Sequence, residues 1–120
     1  MTTVLAVDDS RTMREIIALT LRGAGIYTHL AKDGQHGLEL LEDLAPDAII
    51  TDINMPRLDG YDFVAAVRDR RQSRTVPILV LTTESSDDLK ARARAAGATG
   101  WIVKPFDPAK LVRAVQMVTG

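Results

Sequence analysis

The chain has 120 residues, the size of one domain and not two. Hydrophobic residues make up 46% and charged residues 26%, which excludes a disordered chain, and the lack of cysteine excludes disulfide frameworks, thiolate catalysis and cysteine-ligated metals. A net charge of -1 gives no field to attract nucleic acid or an anionic membrane, and apolar runs of four or five residues cannot span a bilayer.

In chain order, short apolar runs alternate with helix-period segments. Val4 to Val7 predicts a strand. Met13, Ile16, Ile17, Thr20 and Leu21 then follow helical spacing, with Ser10 as N-cap and Gly23 and Gly25 as stops. Tyr27 to Ala31 is more polar and reads as an edge strand. Leu38, Leu41 and Leu44 form the second helical stripe, ended by Pro46. Ala48 to Ile50 is the third strand, followed by a helix carrying Phe63, Val64 and Val67. Ile78 to Leu81 is the fourth strand. Ser85 and Asp88 stand at capping-box spacing before the fourth helix, which ends at Gly97. Trp101 to Val103 is the fifth strand, and Leu111, Val115 and Val118 belong to a last helix starting near Pro108.

The continuous, branched runs suit strands buried on both faces of a parallel sheet. Five β-α alternations predict an α/β fold, (βα)5, with right-handed crossovers and helices on both faces. With the polar strand at an edge, the expected order is the flavodoxin-like 2-1-3-4-5. No charged-then-apolar leader opens the chain, so one soluble cytoplasmic domain, 1–120, is expected.

Sites in open parallel sheets form outside the carboxyl ends of the strands. The first strand ends in Asp8-Asp9, the third in Asp52, the fourth in Thr82 and the fifth in Lys104. One such residue is usually a cap or turn former; four at one end of a sheet are a signal. Two unit charges about 4 Å apart interact by roughly 4 kcal/mol at an effective dielectric of 20. Lys104 offsets part of the repulsion among three carboxylates, and a hard divalent cation such as Mg²⁺ suits the rest. The cluster reads as a phosphoryl site in which metal and lysine neutralise oxygens, a threonine donates, and one aspartate is the nucleophile.

Val7-Asp8-Asp9-Ser10, Asp52-Ile53-Asn54-Met55-Pro56 with Asp59-Gly60, Leu81-Thr82 and Lys104-Pro105-Phe106 closely resemble the response-regulator receiver domain of two-component signalling. The resemblance covers essentially the whole chain. Within the family, Val7 to Arg14 and the lack of an output domain resemble the CheY-type chemotaxis receivers. The resemblance implies that Asp52 is the phosphoacceptor, that Asp8, Asp9, Asp52 and the backbone carbonyl of Asn54 hold Mg²⁺, and that Thr82 and Lys104 contact the phosphoryl oxygens. It implies a cis bond before Pro105, dephosphorylation tuned by Asn54 and Glu84, and a switch formed by Thr82 and Trp101. The implied partners are a chemotaxis-type histidine kinase and a flagellar motor switch protein, met by a monomer through the fourth helix, fifth strand and fifth helix, with no nucleic acid or membrane. The receiver is then a phosphoacceptor that assists its own phosphorylation and dephosphorylation, and not an enzyme.

Two residues depart from the family pattern. Trp101 stands where tyrosine or phenylalanine is usual, three residues before the lysine, and indole offers only an N–H donor. Thr83 replaces a small residue. A phosphorelay shuttle or phosphate sink is the alternative within the family. An aspartate-nucleophile phosphatase of the haloacid-dehalogenase type is disfavoured by Asn54, which cannot exchange protons where that class needs an acid. A flavin carrier on the same fold is disfavoured by Asp8 and Asp9, which repel a phosphate. His29 and His36 lack ligand partners and read as structural or surface residues. Arg68-Asp69-Arg70-Arg71 with Arg74 reads as a solvated helix end, and Lys90, Arg92 and Arg94 alternate on the family's partner-facing fourth helix.

Overall fold

A computed structural model describes residues 1–84 and 86–120. Five parallel strands, β1 (Thr3–Val7), β2 (Tyr27–Ala31), β3 (Ala48–Asp52), β4 (Ile78–Thr82) and β5 (Gly100–Val103), lie in the order β2-β1-β3-β4-β5, as the pattern predicts. The helices are α1 (Arg11–Gly23), α2 (Gly34–Leu40), α3 (Gly60–Asp69), α4 (Asp87–Ala96) and α5 (Pro108–Thr119), with a 3₁₀ turn at Arg71–Ser73.

Strand pleat sorts the core. Leu5, Val7, Ile49, Ile78 and Val80 point to the face covered by α2, α3 and α4. Their neighbours Val4, Ala6, Ile50, Leu79 and Leu81 point to the face covered by α1 and α5. Burial on both faces explains why β1, β3 and β4 read as unbroken apolar runs. β5 differs from that expectation. It is an outer strand, so Trp101 and Ile102 are only half-buried and Val103 is exposed. Ile16, counted in the first apolar stripe, is also exposed; Ile17, Ala18 and Leu21 carry the buried face of α1.

Caps set the helix starts. Ser10 accepts from the Met13 N–H, Asp33 from His36, Asp59 from Asp62 and Asp107 from Ala109. The expected cap Ser85 lies outside the described residues; Ser86 accepts from the Leu89 N–H. Gly97 closes α4 at φ +114°, where a Cβ is unfavourable. The stripe expected to run to Pro46 ends at Leu40, because Glu42 and Asp43 bond back only three residues, to the carbonyls of Glu39 and Leu40, and tighten the chain.

Arg68 corrects the reading of its basic run as a solvated helix end. It is half-buried, donates to the Gly97, Ser73 and Arg74 carbonyls, and ties the end of α3 to the end of α4. Burial lowers its pKa. The histidines are structural: His36 Nδ1 accepts from the Lys32 N–H at 3.1 Å, and His29 packs on Tyr27 with ring centroids 4.8 Å apart.

Register brings the strand ends level. Val7 pairs with Thr51, Asp52 with Leu81, and Thr82 with Val103. Asp8, Asp52, Thr82 and Lys104 therefore follow one another across the carboxyl edge of the sheet.

Candidate acidic phosphoryl site

Asp8, Asp9 and Asp52 bring carboxylate oxygens within 4.8 Å of one another. Asp8 is fully buried and held from several sides. Its Oδ1 accepts from the Ser10 N–H at 2.9 Å and its Oδ2 from Lys104 Nζ at 3.0 Å. Arg14 donates to its backbone carbonyl at 2.7 Å. Asp9 is exposed, and its carboxylate has no hydrogen bond among the described residues, so its oxygens stay available.

Asp52 is buried at the mouth of the sheet. Its Oδ1 accepts from the Ile53 N–H at 2.8 Å and lies 3.3 Å from Lys104 Nζ. One oxygen is thus fixed, and the other is left for chemistry. Burial, and then the charge of Asp8, push the Asp52 carboxyl above the usual carboxylate range against the pull of Lys104. Desolvation therefore leads, with like-charge repulsion second. Burial acts to lower the Lys104 pKa, but the hydrogen bond and charge of Asp8, with those of Asp52, outweigh it and leave the ammonium raised and charged.

A raised carboxyl pKa has a definite sign. The folded chain holds the proton longer than the unfolded chain. Stability is therefore lost as pH climbs from the unfolded carboxylate value, about 3.9, through the raised folded value. In chelator, Asp52→Asn is expected to melt higher than wild type at neutral pH, with the difference closing on acidification below that window. Melts across pH 3 to 8 check this, and a variant melting lower at neutral pH would mean the pairing with Lys104 outweighs desolvation.

Thr82 ends β4, is buried, and its Oγ1 accepts from the Glu84 N–H at 3.1 Å. Lys104 N–H donates to the Thr82 carbonyl at 2.7 Å, and the Lys104–Pro105 peptide is cis. Asn54 and Glu84 are exposed on the loops after β3 and β4. Trp101 faces α4, with Lys90 and Arg94 over its ring. Three hard carboxylates, with Asp9 exposed and unpaired among the described residues, suit an oxygen-seeking divalent ion.

Sequence reasoning missed several supports. Arg14 sits one helical turn beyond the Ser10 cap, which lets it reach back to the Asp8 carbonyl. Arg57, at φ +68°, pairs with the buried Asp33 and straps the loop after β3 to the loop after β2. Gly60 packs so closely that a Cβ would sit 2.2 Å from the Asp52 carbonyl oxygen. Only the Asp59-Gly60 pair in the motif hinted at the last.

Residues 4–116 match the response regulator receiver domain family. The chain is 40% identical to the chemotaxis protein CheY1 of Helicobacter pylori over 121 residues, covering 98% of this chain and 96% of that protein. It is 38% identical over 115 residues to the sensor histidine kinase CheAY of the same organism, but spans only 14% of that longer protein. The structure of the chemotaxis protein CheY4 of Vibrio cholerae matches with a TM-score of 0.95 and 46% identity, covering 98% of both chains. No described helix is long and apolar enough to cross a membrane.

Proposed function

This chain belongs to the response regulator receiver domain family, and from that premise we propose that it is a single-domain, stand-alone cytoplasmic chemotaxis regulator phosphorylated on Asp52. Members of the family are phosphoacceptors served by histidine kinases and are not generally classed as enzymes. The observation that carries the reading is the Asp52 carboxylate, fixed through one oxygen by the Ile53 N–H and Lys104, and set beside Asp8 and Asp9.

The free Asp52 oxygen attacks the phosphorus of a kinase phosphohistidine. A P–O bond forms as the P–N bond breaks, and the imidazole leaves. The chain supplies alignment and charge neutralisation and little covalent chemistry of its own. Lys104 faces the charge on the transferring oxygens, and the Thr82 hydroxyl donates to one of them. Asp8, Asp9 and Asp52, with the Asn54 carbonyl, would hold Mg²⁺, which supplies further positive charge to those oxygens. Asn54 and Glu84, exposed at the rim, tune the approach of the hydrolytic water. The same groups let the chain assist its own phosphorylation and dephosphorylation.

Phosphorylation switches the face of α4, β5 and α5, through Thr82 and Trp101, to bind a flagellar motor switch protein. The likeness to two chemotaxis proteins along 96% and 98% of their lengths supports this partner. The likeness to part of a sensor kinase supports a phosphate sink as the second reading. Affinity for a purified motor switch protein, with and without phosphorylation, separates them: the first expects tighter binding after phosphorylation and the second none in either state.

Lys104→Ala is expected to leave Mg²⁺ binding intact or stronger, because a competing cation is gone. It strips the buried Asp8 of its counter-charge. In chelator its melting temperature should fall, and Mg²⁺ should raise it by more than in wild type. Calorimetric Mg²⁺ titration with parallel melts measures both, and weaker Mg²⁺ binding would contradict the role. Lys104→Arg should restore little, since a planar guanidinium does not match a compact ammonium.

A further inference from the structure

Helix α4 grips two aromatic rings on its two flanks. Lys90 and Arg94 are one turn apart and share a face. Both lie over the Trp101 ring of β5, each 5.2 Å from its centroid. Arg92, between them in sequence, points to the other flank and covers the Tyr61 ring of α3 at 4.1 Å. Tyr61 is buried, although it stands in the first turn of its helix.

Between the two rings lies a cavity of about 10 Å³, walled by Tyr61, Trp101, Thr82, Val80, Ile53 and Leu89. Such a space holds one water at most. An indole turning from its half-buried position toward Thr82 enters this cavity and meets the Tyr61 ring on its far wall. Withdrawal of one threonine hydroxyl frees far less room than an indole needs. Displacement of Tyr61 frees enough.

We propose that Tyr61, held by Arg92, is the positioning residue that limits how far Trp101 turns toward Thr82, so that α4 must release Tyr61 before the ring can bury. The proposal rests on the receiver reading for what drives the turn. The steric stop itself belongs to the resting protein and is tested there.

Trp101 is the only tryptophan, so emission and acrylamide quenching report this ring alone. In the full chain without phosphoryl donor, Tyr61→Leu is expected to lower the quenching constant and shift emission to the blue. Arg92→Gln, at an exposed position, should move both in the same direction, with the inward-to-outward ratio changed roughly two- to fivefold, the equivalent of one exposed cation–π contact. Tyr61→Phe keeps the ring volume and should match wild type. Wild-type quenching in both Tyr61→Leu and Arg92→Gln overturns the proposal, as does a Tyr61→Phe shift equal to that of Tyr61→Leu. If Tyr61→Leu does not fold, Arg92→Gln against Tyr61→Phe decides. Repeating the series with acetyl phosphate and Mg²⁺, with intact mass read on the same samples, keeps the two ideas apart. A chain that gains no phosphoryl mass defeats the receiver reading, while the resting series still decides the role of Tyr61.

Discussion

Incubated with acetyl phosphate and Mg²⁺, the wild-type chain is expected to gain the mass of one phosphoryl group, and Asp52→Asn none. The expectation follows from the asymmetry of the acid cluster. Asp8 has both carboxylate oxygens engaged, by Ser10 and Lys104. Asp9 is exposed and lacks a positioning partner among the described residues. Asp52 alone combines burial, a fixed oxygen and an uncommitted one. The Asp52→Asn substitution keeps the shape of the side chain but offers an amide, which is a poor nucleophile. The added group should be lost in mild base, as an acyl phosphate is. A phosphoryl gain that survives Asp52→Asn, or that resists base, would remove Asp52 from the role.

Gly60→Ala is expected to be the most damaging small substitution in the chain. Its Cβ would fall 2.2 Å from the Asp52 carbonyl oxygen and 2.7 Å from the Ile53 Cα. Both neighbours are backbone, so no side chain can swing aside. Their positions are set by β3 and by the Gly60 N–H bond to the Ile53 carbonyl at 2.8 Å. Overpacking against immobile atoms should cost about 3 kcal/mol, the upper end of the usual range, which lowers Tm by roughly 10–20 °C in a domain of this size. Because the clash falls on the residue that carries the candidate phosphoacceptor, phosphorylation should slow as well. Thermal melts and phosphorylation rates measure the two effects. A melting temperature within a few degrees of wild type would mean that α3 can back away from β3.

Much of this was legible in the sequence for a plain reason. Strands buried on both faces must be apolar throughout, so β1, β3 and β4 announce themselves, and the register of a parallel sheet then brings Asp8, Asp52, Thr82 and Lys104 to one edge. What stayed hidden depends on tertiary contact. β5 carries an apolar run like the others, so the run alone conceals the partial exposure that its edge place, already implied by the expected order, gives it. Arg68 looks like any basic residue at a helix end until Gly97 arrives beneath it. Tyr61 sits in an ordinary helical stripe, and nothing local says that it faces Trp101 across a cavity.

The three hydrogen bonds of Arg68 have a mechanical consequence for α4. One of them clamps the Gly97 end of the helix to α3 and the other two hold the Arg68 side chain to the Ser73 and Arg74 carbonyls, while Gly97 and Ala98 bond back into the last turn of α4. The other end begins at the Ser86 cap, directly after the loop that follows Thr82. A helix fixed at one end and loaded at the other is a lever with its fulcrum at Gly97. A push from the Thr82 loop then swings the turn of Leu89 and Lys90 through the widest arc and leaves Arg94 nearly still. Of the two cations on Trp101, Lys90 is therefore the one expected to let go first.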